Sequence, residues 1–160
     1  MMRTISPDSH LYTDGVYSFT QDRARAAWTA CYQELDEALA DPQVARVVLL
    51  VGVPASGKST WVSKQSDDPT TVLFDATFAK LDWRTPVVEK VLAAGKQVDA
   101  VWIWSPPEVV KERNALRPAD RLIPEEVIDS MFGYLNDEPP TKAEGFSAVS
   151  LVSGFGPIPG

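Results

Sequence analysis

One cysteine, Cys31, and one histidine, His10, stand among 160 residues. A lone cysteine excludes an internal disulfide and a multi-cysteine zinc site, and it suits a reducing compartment. A lone histidine excludes a histidine-rich metal cluster and leaves the body of the chain without the histidine of a Ser/His/Asp triad. Basic charge is also scarce: 15 Lys and Arg face 22 Asp and Glu, for a net charge of −7. That balance argues against coating nucleic acid by bulk charge, although it leaves room for a local basic strip. No apolar run approaches the roughly 20 residues of a membrane span, and the polar start MMRTISPDSHLY lacks the apolar centre of a signal peptide. The expectation is a soluble, cytoplasmic protein with no membrane partner. No repeat of fixed period is visible. With 44% hydrophobic residues the chain can bury one sizeable core, which predicts one main domain.

The apolar pattern is of two kinds. Trp28, Cys31, Tyr32, Leu35 and Leu39 recur at helical spacing, predicting a helix from a Thr20 cap to Ala40, ended by Asp41-Pro42, with Cys31 in the core. Arg46–Val51, Thr70–Asp75, Val98–Trp104 and Ala148–Val152 are short β-branched or aliphatic runs, typical of strands buried on both sheet faces. Helical candidates lie between them: Lys58–Ser66, Trp83–Ala94 closed by Gly95, Pro107–Leu116 and Pro124–Asn136. Ser105, three residues before Glu108 and followed by prolines, reads as the cap of the third. Strand and helix in alternation predict an α/β fold with a small parallel sheet flanked by helices. We expect residues 1–45 to form an N-terminal extension whose helix packs on the core. Residues 46–152 are expected to form the main domain, and 153–160 a flexible tail.

Gly52-Val53-Pro54-Ala55-Ser56-Gly57-Lys58-Ser59-Thr60 fits G-x-x-x-x-G-K-[ST] directly between a predicted strand and a predicted helix. The glycines allow the backbone to wrap a phosphate, Lys58 reaches the outer phosphates, and the Ser59 hydroxyl is placed to ligate magnesium. Gly52, Pro54, Ala55, Ser56, Gly57, Lys58, Ser59 and Thr60 are thus the expected cradle for ATP with Mg2+. Asp75 ends the next apolar run on the side where the loop emerges, as a general base or as a magnesium ligand. Arg113 and Arg117 are four apart on one helical face, and Arg121 follows. They read either as a phosphate-pairing strip or as a solvated face partnered by Glu112 and Asp120. Arg84 has the same two readings, holding an acceptor phosphate or pairing with Asp82. Trp83 beside it suits base stacking, whereas Trp102 and Trp104 share a parity that suits core packing.

The loop, written G-x-P-x-S-G-K-S-T-W, resembles that of the phage-type polynucleotide kinases and their small P-loop kinase relatives. Phe74-Asp75-Ala76-Thr77 with Arg84 is similar to that family's D-x-T segment and downstream arginine. Arg113-Asn114-Ala115-Leu116-Arg117 resembles its R-N-x-x-R lid, Ile123–Met131 the helix after the lid, and Glu144-Gly145-Phe146 its E-G-F turn. The resemblance covers about residues 46–152. It implies a P-loop kinase fold, ATP and Mg2+, an alcohol acceptor on a nucleic acid or nucleotide, and the cytoplasm of a host if the gene is a phage's. It implies phosphate contacts for Arg113, Arg117 and Arg121, and places Thr77, Trp83 and Arg84 on the acceptor side. The chain departs from the family in one respect, having no separate acidic strand between the loop helix and Asp75. Either that strand's base is lost or Asp75 serves instead. The implied acceptor is a 5′-hydroxyl end. The alternatives are 5-hydroxymethyluracil in phage DNA, a small metabolite, or no acceptor at all in a binding module.

Overall fold

The computed structural model describes residues 2–13, 16–17 and 20–154. Five strands form one sheet: β1 (Arg3–Ile5), β4 (Arg46–Val51), β5 (Thr71–Asp75), β6 (Gln97–Trp104) and β7 (Val149–Ser153). All neighbours are parallel, in the order β1-β5-β4-β6-β7. A separate antiparallel pair joins β2 (Tyr12–Thr13) to β3 (Val16–Tyr17). The helices are α1 (Gln21–Ala40), α2 (Lys58–Ser63), α3 (Leu81–Ala93), α4 (Pro107–Ala115) and α5 (Glu125–Asp137). The expected α/β parallel sheet flanked by helices is therefore the architecture found. None of the described helices is long and apolar enough to cross a membrane.

Strand alternation divides the core. Val47, Leu49 and Val51 of β4 face a large cluster containing Cys31 and Leu35 of α1, Val87 and Val91 of α3, Val110 of α4, and Ile128 and Leu135 of α5. Val48 and Leu50 point the other way, into a small cluster with Leu73 and Ile103 covered by Trp61 and Val62 of α2. Helix α1 begins where expected, Thr20 Oγ1 accepting from the Arg23 amide at 3.1 Å. Its Trp28 stacks on Phe74 of β5 at 5.7 Å between centroids.

The sequence reading did not include β1. Three residues are too few to show alternation, and only Ile5 is buried. The strand forms because Arg3–Ile5 finds the open edge of β5, with Ile5 level with Phe74. The first residues thus complete the sheet edge on the far side of β5 from the loop strand. The expected tail also begins later than predicted: Ser153 ends β7 and Gly154 packs on the loop, while 155–160 lie outside the described residues.

Cys31 is fully buried, and burial followed by the charge of Glu34 pushes its thiol up from 9.0 to about 12. Native protein at pH 8 is expected to resist alkylation by iodoacetamide, and to take one equivalent in urea. Because the folded value is the raised one, its stabilising contribution is complete below about pH 9. It is lost as pH climbs toward 12, which thermal melts across that range will register.

Candidate functional site

The loop between β4 and α2 leaves the sheet at the carboxyl ends of the strands. Its first residue is tied to the next strand's exit, the Gly52 amide donating to the Thr77 carbonyl at 3.1 Å. Ala55 and Gly57 then take positive φ, 67° and 107°, which bends the backbone into a nest before Lys58 opens α2. The nest is braced from two sides. Ser105, at the end of β6, donates its buried hydroxyl to the Ser56 carbonyl at 2.7 Å, and Arg113 Nη1 donates to the Ala55 carbonyl at 3.2 Å. Arg113 Nη2 reaches the Gly154 carbonyl at 3.2 Å, and the Gly154 amide is itself bonded to the Trp104 carbonyl. Gly154 lies so close that a Cβ there would sit 1.9 Å from the Ser56 carbonyl oxygen. Only a residue without a side chain passes the loop at this point.

Lys58 lies against the end of β5. Its Nζ is 3.3 Å from Asp75 Oδ1 and donates to the Ala76 carbonyl at 2.9 Å. Asp75 is placed there by register, since Leu50 of β4 pairs with Asp75 at the end of β5, two residues before the loop starts. Ser59 and Thr60 are exposed on the first turn of α2. The residues fit a triphosphate with magnesium. The nest is preformed, the buried Ser56 hydroxyl has no hydrogen-bond partner among the described residues, and a lysine paired with a carboxylate stands beside exposed hydroxyls on the first turn of α2.

The lid is a short excursion pinned at its neck. Asn114, buried in α4, exchanges two hydrogen bonds with Ile123, its amide donating at 2.7 Å and its oxygen accepting at 3.1 Å. Arg117 and Arg121 lie on the segment between, and Arg121 Nη2 reaches Asp8 Oδ2 at 3.4 Å. The structure thus brings Lys58, Asp75 and Arg113 to the loop and hangs Arg117 and Arg121 on the excursion beside it.

Two expectations need correction. Arg84 is not available to a substrate: it is fully buried, with Nε and Nη2 on the two oxygens of Glu144 and the remaining bonds on the Phe78 and Glu138 carbonyls. Glu144 belongs to the E-G-F turn, so the arginine after β5 and that turn form a structural clasp, not the predicted pair with Asp82. Ser105 does not cap α4, whose N-cap is Pro106 with no side-chain bond. Its hydroxyl holds the loop instead, a role with no local signal beyond its place at a strand's carboxyl end. Thr77 contributes its carbonyl to Gly52. Trp83 is 40% exposed, edge-on to Tyr134, with Lys80 Nζ 4.2 Å from the Tyr134 ring centroid.

A parallel sheet with a phosphate nest at the exit of its central strand, a lysine opening the next helix, and an aspartate ending the adjacent strand define a P-loop, NTPase-like nucleotide-binding domain. A family model described as an AAA domain matches residues 67–137. The match starts after the loop and takes in Asp75, the lid and α5, so it supports the broad P-loop kinase group independently of the loop motif. No curated protein matches the chain.

Proposed function

We propose that this protein is an ATP-dependent kinase that moves the γ-phosphate to a hydroxyl of a nucleic acid or nucleotide, a 5′-hydroxyl end being the first acceptor to test. The observation that carries the reading is the contact of Asp75, at the end of β5, with Lys58, at the head of α2, a carboxylate held within reach of the phosphate cradle. In this reading the loop residues Gly52, Pro54, Ala55, Ser56, Gly57 and Thr60 wrap the phosphates with Lys58. The acceptor oxygen attacks the γ-phosphorus in line, its proton passes to Asp75, and the bond to the β-phosphate oxygen breaks to release ADP. Ser59, with Asp75 in its alternative role, would hold magnesium, which when bound supplies charge neutralisation at the phosphates. Arg117 and Arg121 pair with phosphate oxygens from the lid, and Arg113 keeps the loop in shape. Trp83, half-exposed, is the surface on which an acceptor base stacks.

The test offers γ-labelled ATP and magnesium with four separate pools: 5′-hydroxyl RNA, 5′-hydroxyl DNA, duplex DNA carrying 5-hydroxymethyluracil, and small metabolites. Label on 5′-hydroxyl ends is the expected result. Label on the hydroxymethylated duplex alone replaces end phosphorylation by base phosphorylation, and label on a metabolite alone sinks the nucleic-acid reading. Tight ATP binding with no transfer makes the protein a nucleotide-dependent binding module.

A further inference from the structure

The N-terminal segment reaches the rim on which the nucleotide site is built. Strand β1 runs parallel to β5 with Ile5 level with Phe74, so the chain leaves β1 at the level of Asp75, on the far side of β5 from the loop. It enters a 3-10 turn, Pro7–His10, that is fixed from several directions. The Leu11 amide donates to the Asp8 carbonyl, Leu11 is buried, Arg23 Nη2 donates to the Leu11 carbonyl, and His10 Nε2 contacts Glu34 of α1. Asp8 is therefore a carboxylate on a rigid support, and its side chain is 57% exposed.

The lid arrives at the same place from the other direction. Arg113 touches Ala55 and Gly154, on the loop side of β5, whereas Arg121 touches Asp8, on the turn that follows β1. Between these contacts the segment passes from the β4 side of β5 to the β1 side. The phosphate nest follows β4, Asp75 ends β5 and Asp8 follows β1, so in sheet order Asp75 stands between the nest and Asp8.

We propose that Asp8 is the acceptor-binding carboxylate, which receives a hydrogen bond from a hydroxyl of the acceptor on the side of Asp75 away from the nucleotide. Its carboxylate also meets the lid, through Arg121 Nη2 at 3.4 Å. The proposal rests on the kinase reading above and adds an acceptor subsite supplied by residues outside the P-loop core.

The experiment compares wild type with Asp8→Asn, full-length, using γ-labelled ATP and whichever of the four pools the wild type labels best. Removing the charge while keeping the shape is expected to raise the KM for that acceptor about 10- to 100-fold. The KM for ATP and the melting temperature should stay unchanged, a split that a purely structural tether does not produce. An unchanged acceptor KM in an active enzyme overturns the proposal and leaves the kinase reading standing. Equal rises in both KM values, or a lowered melting temperature with normal acceptor KM, also overturn it, because they mark Asp8 as a tether for the lid. A wild type that labels none of the pools overturns the kinase reading and this proposal together.

Discussion

Asp75→Asn is expected to lower phosphate transfer by about 10²- to 10⁴-fold, the range for removing a general base, while ATP binding stays within about fivefold of wild type. The amide keeps the size of the carboxylate, so the end of β5 and its register with β4 are undisturbed. What is lost is the charge 3.3 Å from Lys58 Nζ. Lys58 does not fall away with it, because the Ala76 carbonyl continues to hold the ammonium group at 2.9 Å. The measurement is single-turnover transfer alongside a fluorescent-nucleotide titration at several magnesium concentrations. A variant that turns over normally removes Asp75 from the chemistry. A loss of nucleotide affinity that grows with magnesium dependence moves Asp75 from base to metal ligand.

Arg84→Met is expected to destabilise the fold by about 3–5 kcal/mol, because it strands the Glu144 carboxylate in a site only 8% exposed. For a chain of this size that corresponds to a melting temperature lower by about 10 °C. The guanidinium joins three separate pieces of the molecule: Phe78 after β5, Glu138 after α5, and Glu144 in the turn before β7. Its loss therefore loosens the packing of α3 and α5 together. Glu144→Gln in the Arg84→Met background should recover much of the loss, since the unpaired charge is the largest part of it. At temperatures where the single variant is folded, its ATP affinity should match wild type. A large loss of acceptor affinity with full stability would restore the substrate role that the sequence suggested for this arginine.

The contrast between Asp75 and Arg84 shows where local pattern carries information and where it does not. Asp75 was legible because its position follows from two short-range regularities. A short apolar run, Val72-Leu73-Phe74, makes a buried strand, and a parallel sheet beside a phosphate loop presents its strand ends on one rim. Arg84 carries the same charge whether it binds a phosphate or Glu144, 60 residues away, and nothing near it in the chain distinguishes the two. Ser105 repeats the point. Next to prolines and a glutamate it has the spelling of a helix cap, yet its hydroxyl is within 2.7 Å of a loop carbonyl 49 residues earlier. Asn114 is a further case, one letter of the lid motif whose work is to close the lid's neck against Ile123.

The sequence by itself determined the parallel α/β layering, the helix from Thr20 to Ala40, the phosphate loop with Lys58 at the head of its helix, and the place of Asp75. Each of these depends on periodicity or on backbone conformations that neighbouring residues impose. Tertiary structure alone decided that Arg3–Ile5 completes the sheet beside β5, that Gly154 and Arg113 brace the loop, that Arg84 is spent on Glu144, and that Asp8 meets Arg121. Those contacts join residues 41 to 113 positions apart, and their free energy exists only once the layers have formed and removed the partners from water.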